Sequence, residues 1–278
     1  MSSVYKMAIE NVLLGNLKVS RFILGGNPFS GFSHRSIEKD WEMRRYFTVE
    51  RIKEVLREAE ALGVNTLIAR ADFHIMRLLL EYRDEGGKIQ WIAQVCSDVA
   101  GNLKAGTETA ISFGAKACFI HGGHMDYLLS QGKTDIVEQA LSIARDKGLP
   151  VGVAGHNPEV FKWAEENLKL DFYMCSHYDP IPREENPQHR HGYAEEFREE
   201  DRQAMAQTIK TLSHPVIHYK ILAGGRNDPR QAFEYTAGIM RKNDAVCVGI
   251  YPPDKPDMLK EDIMLFEQSL EKAGKRGG

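Results

Sequence analysis

The feature that most constrains this chain is a slow alternation. Short, continuous apolar runs are each followed by a longer stretch with helical periodicity, about every 30 residues. The runs are Phe22–Leu24, Thr66–Ala69, Trp91–Val95, Ala117–Ile120, Val151–Ala154, Phe172–Cys175, Val216–Tyr219 and Ala245–Ile250. The helical partners fall at Val49–Leu62, Phe73–Tyr82, Ala100–Phe113, Thr134–Lys147, Pro158–Leu168, Glu196–Leu212, Pro229–Arg241 and Pro256–Lys272. Runs that do not alternate polar with apolar read as parallel strands covered on both faces. Asn157-Pro158 and Asp228-Pro229 place a capping side chain before a proline at the first helical position. Gly63, Gly86, Gly114 and Gly148 mark helix ends. Eight such units predict a closed (β/α)8 barrel, an α/β fold that fills 1–278 as one domain. An open doubly wound sheet fits less well, because Gly25-Gly26-Asn27 after the first run is a poor substitute for GxGxxG.

Composition narrows the function classes. With 36 basic and 39 acidic residues the net charge is −3, which argues against a polycationic nucleic-acid binder. No apolar run is long enough to span a membrane, and the start of the chain does not resemble a signal peptide. Cys96, Cys118, Cys175 and Cys247 lie far apart in apolar runs, as buried reduced thiols would. A cytoplasmic protein acting on a small molecule is expected, and a homo-oligomer is compatible with the sequence.

In a (β/α)8 barrel the chemistry gathers where strands end and the following loops begin. Those positions hold Asn27, Arg70 and Asp72, Gln94 and Asp98, His121 and His124, His156 and Asn157, His177 and Asp179, Lys220 and Arg226, and Tyr251. Four of the ten histidines thus collect after the fourth, fifth and sixth runs.

The chain resembles the aldo-keto reductases along nearly its whole length. Leu13-Leu14-Gly15-Asn16-Leu17-Lys18-Val19-Ser20 is similar to the family's hairpin, which closes the barrel floor, and leads into Phe22-Ile23-Leu24-Gly25-Gly26. Leu62-Gly63-Val64-Asn65-Thr66, Cys118-Phe119-Ile120-His121, Pro150–Gly155 and Val216–Gly225 carry further likeness. The resemblance implies the barrel, an N-terminal β-hairpin and hydride transfer from NADPH to a carbonyl. It also implies a tetrad of tyrosine, lysine, aspartate and histidine. At the tetrad positions this chain reads Phe73, Gln94, Ile68 and His121, so the histidine alone survives. Using Asp72 as the aspartate places Arg77 at the tyrosine position. Carbonyl reduction therefore lacks its usual general acid. Tyr219 matches the tyrosine that stacks on nicotinamide, whereas Gly249–Asp254 lacks a basic cluster for a 2′-phosphate. On these residues NADP is not expected.

Other constellations point elsewhere. His121, His156 and His177 with Asp98 form a possible ligand set for zinc or a similar divalent metal, with His124 on a flexible loop beside them. His121 is then the chemical centre, with Lys220 and Asp72 as further catalytic candidates. Arg70, Gln94, Tyr219, Gly224, Gly225 and Arg226 are candidates for binding substrate. Glycine N–H groups after the seventh strand suit an anion. Lys220 suits an anion, a base or a Schiff base, or simply an ion pair with Asp179. Arg70 and Asp72 read as an internal ion pair or a substrate contact, and Phe29-Ser30-Gly31-Phe32 as a pocket wall. The polar stretch Tyr178–Tyr193 reads as a lid or a solvated excursion.

The expected function is His/Asp acid–base chemistry on a small polar, oxygen-rich or carbonyl compound. A divalent metal would assist it, as in a lyase, isomerase or hydrolase. An NADPH-dependent aldo-keto reductase is the first alternative, and a non-catalytic binding or scaffold barrel the second.

Overall fold

The computed structural model describes residues 9–97, 102–181, 183, 186 and 195–275. Strands β1 (Asn11–Leu14) and β2 (Leu17–Ser20) form an antiparallel hairpin. Its two-residue turn needs a left-handed residue, and Gly15 supplies it at φ +57°, where a Cβ would stand 2.7 Å from Asp171. Eight parallel strands follow and close into a barrel. They are β3 (Phe22–Gly25), β4 (Thr66–Arg70), β5 (Gln90–Val95), β6 (Ala117–Ile120), β7 (Val151–Gly155), β8 (Phe172–Ser176), β9 (Val216–Tyr219) and β10 (Ala245–Val248). Pairing of β10 with both β9 and β3 completes the ring. The barrel expected from the alternation and the hairpin implied by the resemblance are both present.

The outer layer is helical: α1 (Ile37–Tyr46), α2 (Val49–Leu62), α3 (Phe73–Asp84), α4 (Leu103–Ser112), α5 (Gly122–Ser130), α6 (Asp135–Arg145), α7 (Pro158–Asn167), α8 (Glu199–Ile209), α9 (Pro229–Ile239) and α10 (Met258–Lys272). The capping reading holds at Asn157 and Asp228, whose side chains accept from Glu159 N–H and Gln231 N–H. Two helices go beyond the simple alternation. In α1 the Ser36 side chain accepts from Lys39 N–H at the start. In α5 the stretch read as a flexible loop is wound into helix directly after β6. No helix among the described residues is long and apolar enough to cross a membrane.

Period two divides each strand between two cores. Ile23, Ile68, Ile92, Phe119, Ala154, Met174 and Ile217 face the barrel interior, where Val12, Leu14 and Val19 of the hairpin join them. The hairpin therefore stoppers the barrel floor with apolar side chains. The intervening residues, such as Leu67, Trp91, Val95, Cys118, Tyr173 and Val216, pack against the helices. All four cysteines are buried free thiols.

Candidate active site

The same parity selects what reaches the open end of the barrel. Two residues beyond the interior positions Ile68, Ile92, Phe119, Ala154 and Ile217 stand Arg70, Gln94, His121, His156 and Tyr219. All five line a cavity of about 470 Å³ at the C-terminal end of the strands. Arg70 and Gln94 are register partners on β4 and β5. Phe32 lines the same cavity, with the Arg70 guanidinium 5.6 Å from its ring centre. Phe29 turns away and packs edge-on against Phe47.

Two histidine chains meet at this end. In the first, His121 Nδ1 lies 3.3 Å from His124 Nδ1. The other nitrogen of His124 receives the Ser97 backbone N–H at 3.2 Å, and the Ser97 hydroxyl is 2.7 Å away. Burial pushes His121 well below the usual histidine range, reinforced by His124 and the charge of Arg183. Burial and the Arg70 and Arg183 charges push His124 down to about 4. Both rings are neutral at physiological pH.

In the second chain, Asp126 holds His156 from two sides. Its Oδ1 accepts the His156 backbone N–H at 3.1 Å, and its Oδ2 lies 2.6 Å from His156 Nδ1. His156 Nε2 is 3.2 Å from the Tyr219 hydroxyl. Burial lowers His156 below the usual value, and Asp126 opposes that shift. Burial raises Tyr219 well above the usual phenol value, so the hydroxyl keeps its proton. Both chains depend on α5, which carries His124 and Asp126 and begins at Gly122. A Cβ at Gly122 would meet the Tyr219 hydroxyl at 2.9 Å and His156 Cε1 at 3.0 Å, so only glycine lets this helix start so close to the relay.

Lys220 follows β9 in the left-handed region at φ +56°, uncommon for a lysine. Its Nζ lies 2.9 Å from His34 Nε2, and His34 Nδ1 lies 2.8 Å from Glu195. Burial pulls Lys220 down to about 8; Glu195 opposes this, and Arg183 and Arg226 add to it. The amine is thus largely cationic at neutral pH. Its hydrogen-bond partner is His34.

Several expected site residues have other duties. Asp72 does not line the cavity; its side chain caps α3 by accepting from Ile75 N–H at 2.9 Å. His177 has the wrong parity for the interior, because Phe172 and Met174 already take the inward positions of β8. It faces outward, with Nε2 3.1 Å from His218 Nδ1 and its ring against Tyr235. His218 Nε2 in turn lies 3.4 Å from Asp244. Burial raises the Asp244 carboxyl, but the His218 and Arg241 contacts outweigh it and hold the group well below the usual carboxylate range. This chain of buried polar groups is structural. Arg226 is a strut whose Nη1 donates to the carbonyls of His34 and Ala223.

Gly224 and Gly225 line the cavity at φ +64° and +79°. The N–H groups of Gly225, Arg226 and Asn227 nevertheless all turn back to the Leu222 carbonyl. An anion at this turn would meet side chains rather than a ring of peptide N–H groups. Asp98 lies outside the described residues, as does most of the Tyr178–Tyr193 stretch. The metal set of Asp98, His121, His156 and His177 is not assembled, since His177 points away from the cavity that His121 and His156 share. Among the described residues a different trio, Cys96, His121 and His124, brings ligand atoms within 4.8 Å of one another. Burial pushes the Cys96 thiol up to about 11, and the two Nδ1 atoms already face each other at hydrogen-bond distance.

The cavity lining carries more cations than carboxyls. It includes Arg35, Lys39, Arg70, Arg183, Lys220 and Lys255 against the carboxyls of Asp254, Glu261 and Asp262. Lys39 pairs with Asp254 and Lys255 with Glu261, and the lining cations come from several elements. Asp262 is buried, its Oδ2 has no hydrogen-bond partner, and burial raises its carboxyl to about 7. A dinucleotide fits this end on chemical grounds: cations for its phosphates, and an unsatisfied carboxyl for an adenosine amino or hydroxyl group.

No protein-family model and no curated protein sequence matches the chain. Solved structures share its fold. PA4992 of Pseudomonas aeruginosa, described as a candidate aldo-keto reductase, is 17% identical with a TM-score of 0.65, covering 97% of this chain and 99% of its own. The holo form of the aldo-keto reductase AKR11C1 from Bacillus halodurans is 11% identical with a TM-score of 0.59, covering 96% of each chain. A variant of Gox0644 in complex with NADPH is 13% identical with a TM-score of 0.56, covering 98% of this chain and 96% of its own. The fold is therefore that of the aldo-keto reductase barrel. These structures, one of them holding NADPH, overturn the expected metal-assisted lyase, isomerase or hydrolase, and with it the expectation that NADP is not used. That expectation looked for basic residues within one short segment, whereas the cavity draws its Lys and Arg residues from several loops.

Proposed function

We propose that this chain is a nicotinamide-dependent oxidoreductase that interconverts a small carbonyl compound and its alcohol, with NADP(H) as cofactor. The observation that carries the reading is the Asp126–His156–Tyr219 chain, which opens beside His121 into the cavity of a reductase-type barrel. The tetrad tyrosine is replaced by Phe73, which is 64% exposed and does not line the cavity, so another residue must handle the proton. Tyr219 is a phenol in the cavity with a proton path behind it.

Reduced nicotinamide, when bound, supplies the hydride. Lys220 and the lining cations Arg35, Lys39 and Lys255 would hold its phosphates, and Asp262 would accept from the adenosine half. His121, neutral and at the cavity wall, hydrogen-bonds the carbonyl oxygen. Tyr219 gives its hydroxyl proton to the oxygen as negative charge develops there. The His156 imidazolium then returns a proton to Tyr219, and Asp126 stabilises that imidazolium until the transfer. In alcohol oxidation the same groups run in reverse, with neutral His156 receiving the proton. A cytosolic enzyme acting on a small molecule accords with the near-neutral charge and the buried free thiols.

Calorimetric titration with NADPH and NADH tests the cofactor. Loss of reduced-nicotinamide absorbance with small aldehydes, ketones and hydroxy-carbonyl compounds tests the reaction. Binding of neither nucleotide would sink the reading.

A further inference from the structure

We infer that His124 is a positioning residue that fixes His121 in the tautomer carrying its proton on Nε2, using the Ser97 backbone N–H as the reference donor. The inference deepens the proposed function, since it rests on reading His121 as the group that hydrogen-bonds the carbonyl oxygen.

A peptide N–H can only donate, which makes the assignment directional. The Ser97 N–H meets His124 Nε2 at 3.2 Å, so that nitrogen must present its lone pair. The Ser97 hydroxyl, 2.7 Å from the same atom, donates to it as well. A neutral imidazole with a bare Nε2 carries its proton on Nδ1. Burial together with the Arg70 and Arg183 charges keeps His124 neutral. Its Nδ1–H faces His121 Nδ1 at 3.3 Å. Two N–H groups cannot face each other at that distance, so His121 Nδ1 accepts. His121 is also neutral, and its one proton is left on Nε2.

Local backbone geometry holds the pair in place. His121 immediately precedes α5 and His124 lies in its first turn. The His124 backbone N–H donates to the His121 carbonyl at 3.0 Å, and the His121 N–H donates to Val95 at 3.0 Å. Ser97 lies two residues beyond the end of β5, so the reference donor is held close to the adjacent barrel strand. Any group that must meet a carbonyl oxygen needs an N–H rather than a lone pair, and this chain of contacts supplies that choice in advance.

Long-range proton–nitrogen correlation spectra of the full-length protein labelled with 15N-histidine read each tautomer directly. The inference requires Nε2–H at His121 and Nδ1–H at His124 in the unsubstituted protein. Nδ1–H at His121, or a protonated His124 at neutral pH, overturns it, and this measurement needs no variant. His124→Phe removes the donor, so His121 should become a mixture of tautomers and kcat should fall by about 10–100-fold. His124→Asn keeps an N–H near the Nδ1 position and should restore both the single tautomer and most of the rate. An unchanged His121 tautomer in a folded His124→Phe protein also overturns the inference. The spectra answer without reference to turnover. Correct tautomers in a protein that binds no nicotinamide nucleotide would refute the oxidoreductase reading and leave the positioning intact.

Discussion

The imidazole of His156 lies 3.2 Å from the hydroxyl of Tyr219 through Nε2, while Asp126 holds its opposite nitrogen at 2.6 Å. An ionised carboxylate can only accept, so His156 carries its resting proton on Nδ1 and presents a lone pair to the phenol. The phenol proton of Tyr219 thus has two acceptors within reach at rest, His156 Nε2 at 3.2 Å and the Gly155 carbonyl at 3.3 Å.

Tyr219→Phe removes the group that exchanges the proton but keeps the ring. We expect kcat for carbonyl reduction to fall by about 10²–10⁴-fold. Nucleotide affinity, measured calorimetrically, should change little. A variant with unchanged kcat would remove Tyr219 from the mechanism.

The relay sets opposite pH dependences for the two directions. Reduction needs the His156 imidazolium, so its rate falls as pH rises through the His156 value, which burial places below the ordinary 6.5. Oxidation needs the neutral ring and rises over the same range. Steady-state pH profiles for both directions check this, and a shared direction would contradict it. Asp126→Asn should shift both profiles to lower pH, because the charge that favours the imidazolium is lost.

Lys220 is cationic below its value of about 8 and neutral above it. NADPH affinity should therefore weaken as pH rises through that value, provided the amine meets a phosphate. Lys220→Met should bind more weakly at neutral pH and lose this pH dependence. Titrations at two pH values on either side of 8 decide the matter.

Asp262 gives a stability test independent of activity. Its carboxyl is raised from 3.8 to about 7 by burial, so the folded chain holds a proton there that the unfolded chain has released. Stability is lost as pH rises through that window. Asp262→Asn keeps the shape without the charge. It should stabilise the protein by on the order of 2 kcal/mol at pH 8 and by less at pH 5. Thermal melts at both values read the difference, and an equal effect at both would contradict the burial argument.

Gly122→Ala should damage activity more than folding. The added methyl would press on Tyr219 and His156 at 2.9 and 3.0 Å, and alanine is otherwise welcome in a helix. A drop in kcat with unchanged far-ultraviolet circular dichroism is expected.

Much of the architecture was legible because it follows from local chemistry. Continuous apolar runs and the capping Asn157 and Asp228 are each dictated by neighbouring residues, whereas the hairpin was read from its likeness to the family's segment. Strand parity was equally legible and would have corrected one assignment: Met174 faces the interior, so His177 three residues later cannot. The same count places Arg70, Gln94, His121, His156 and Tyr219 together.

The groups that complete the site were not legible. Asp126 and His124 lie on a helix where a flexible loop was expected, and nothing in Gly122-Gly123-His124-Met125-Asp126 says which ring each would meet. His34 and Lys220 are far apart in sequence and touch only because two loops cross the same rim. The residues themselves determined the barrel, the inward faces of its strands and the buried thiols, since periodicity and burial are properties of short segments. Tertiary structure alone decided which acid holds which histidine, which tautomer results and where the cations gather, because hydrogen bonds and charge act between loops that meet only once the ring has closed.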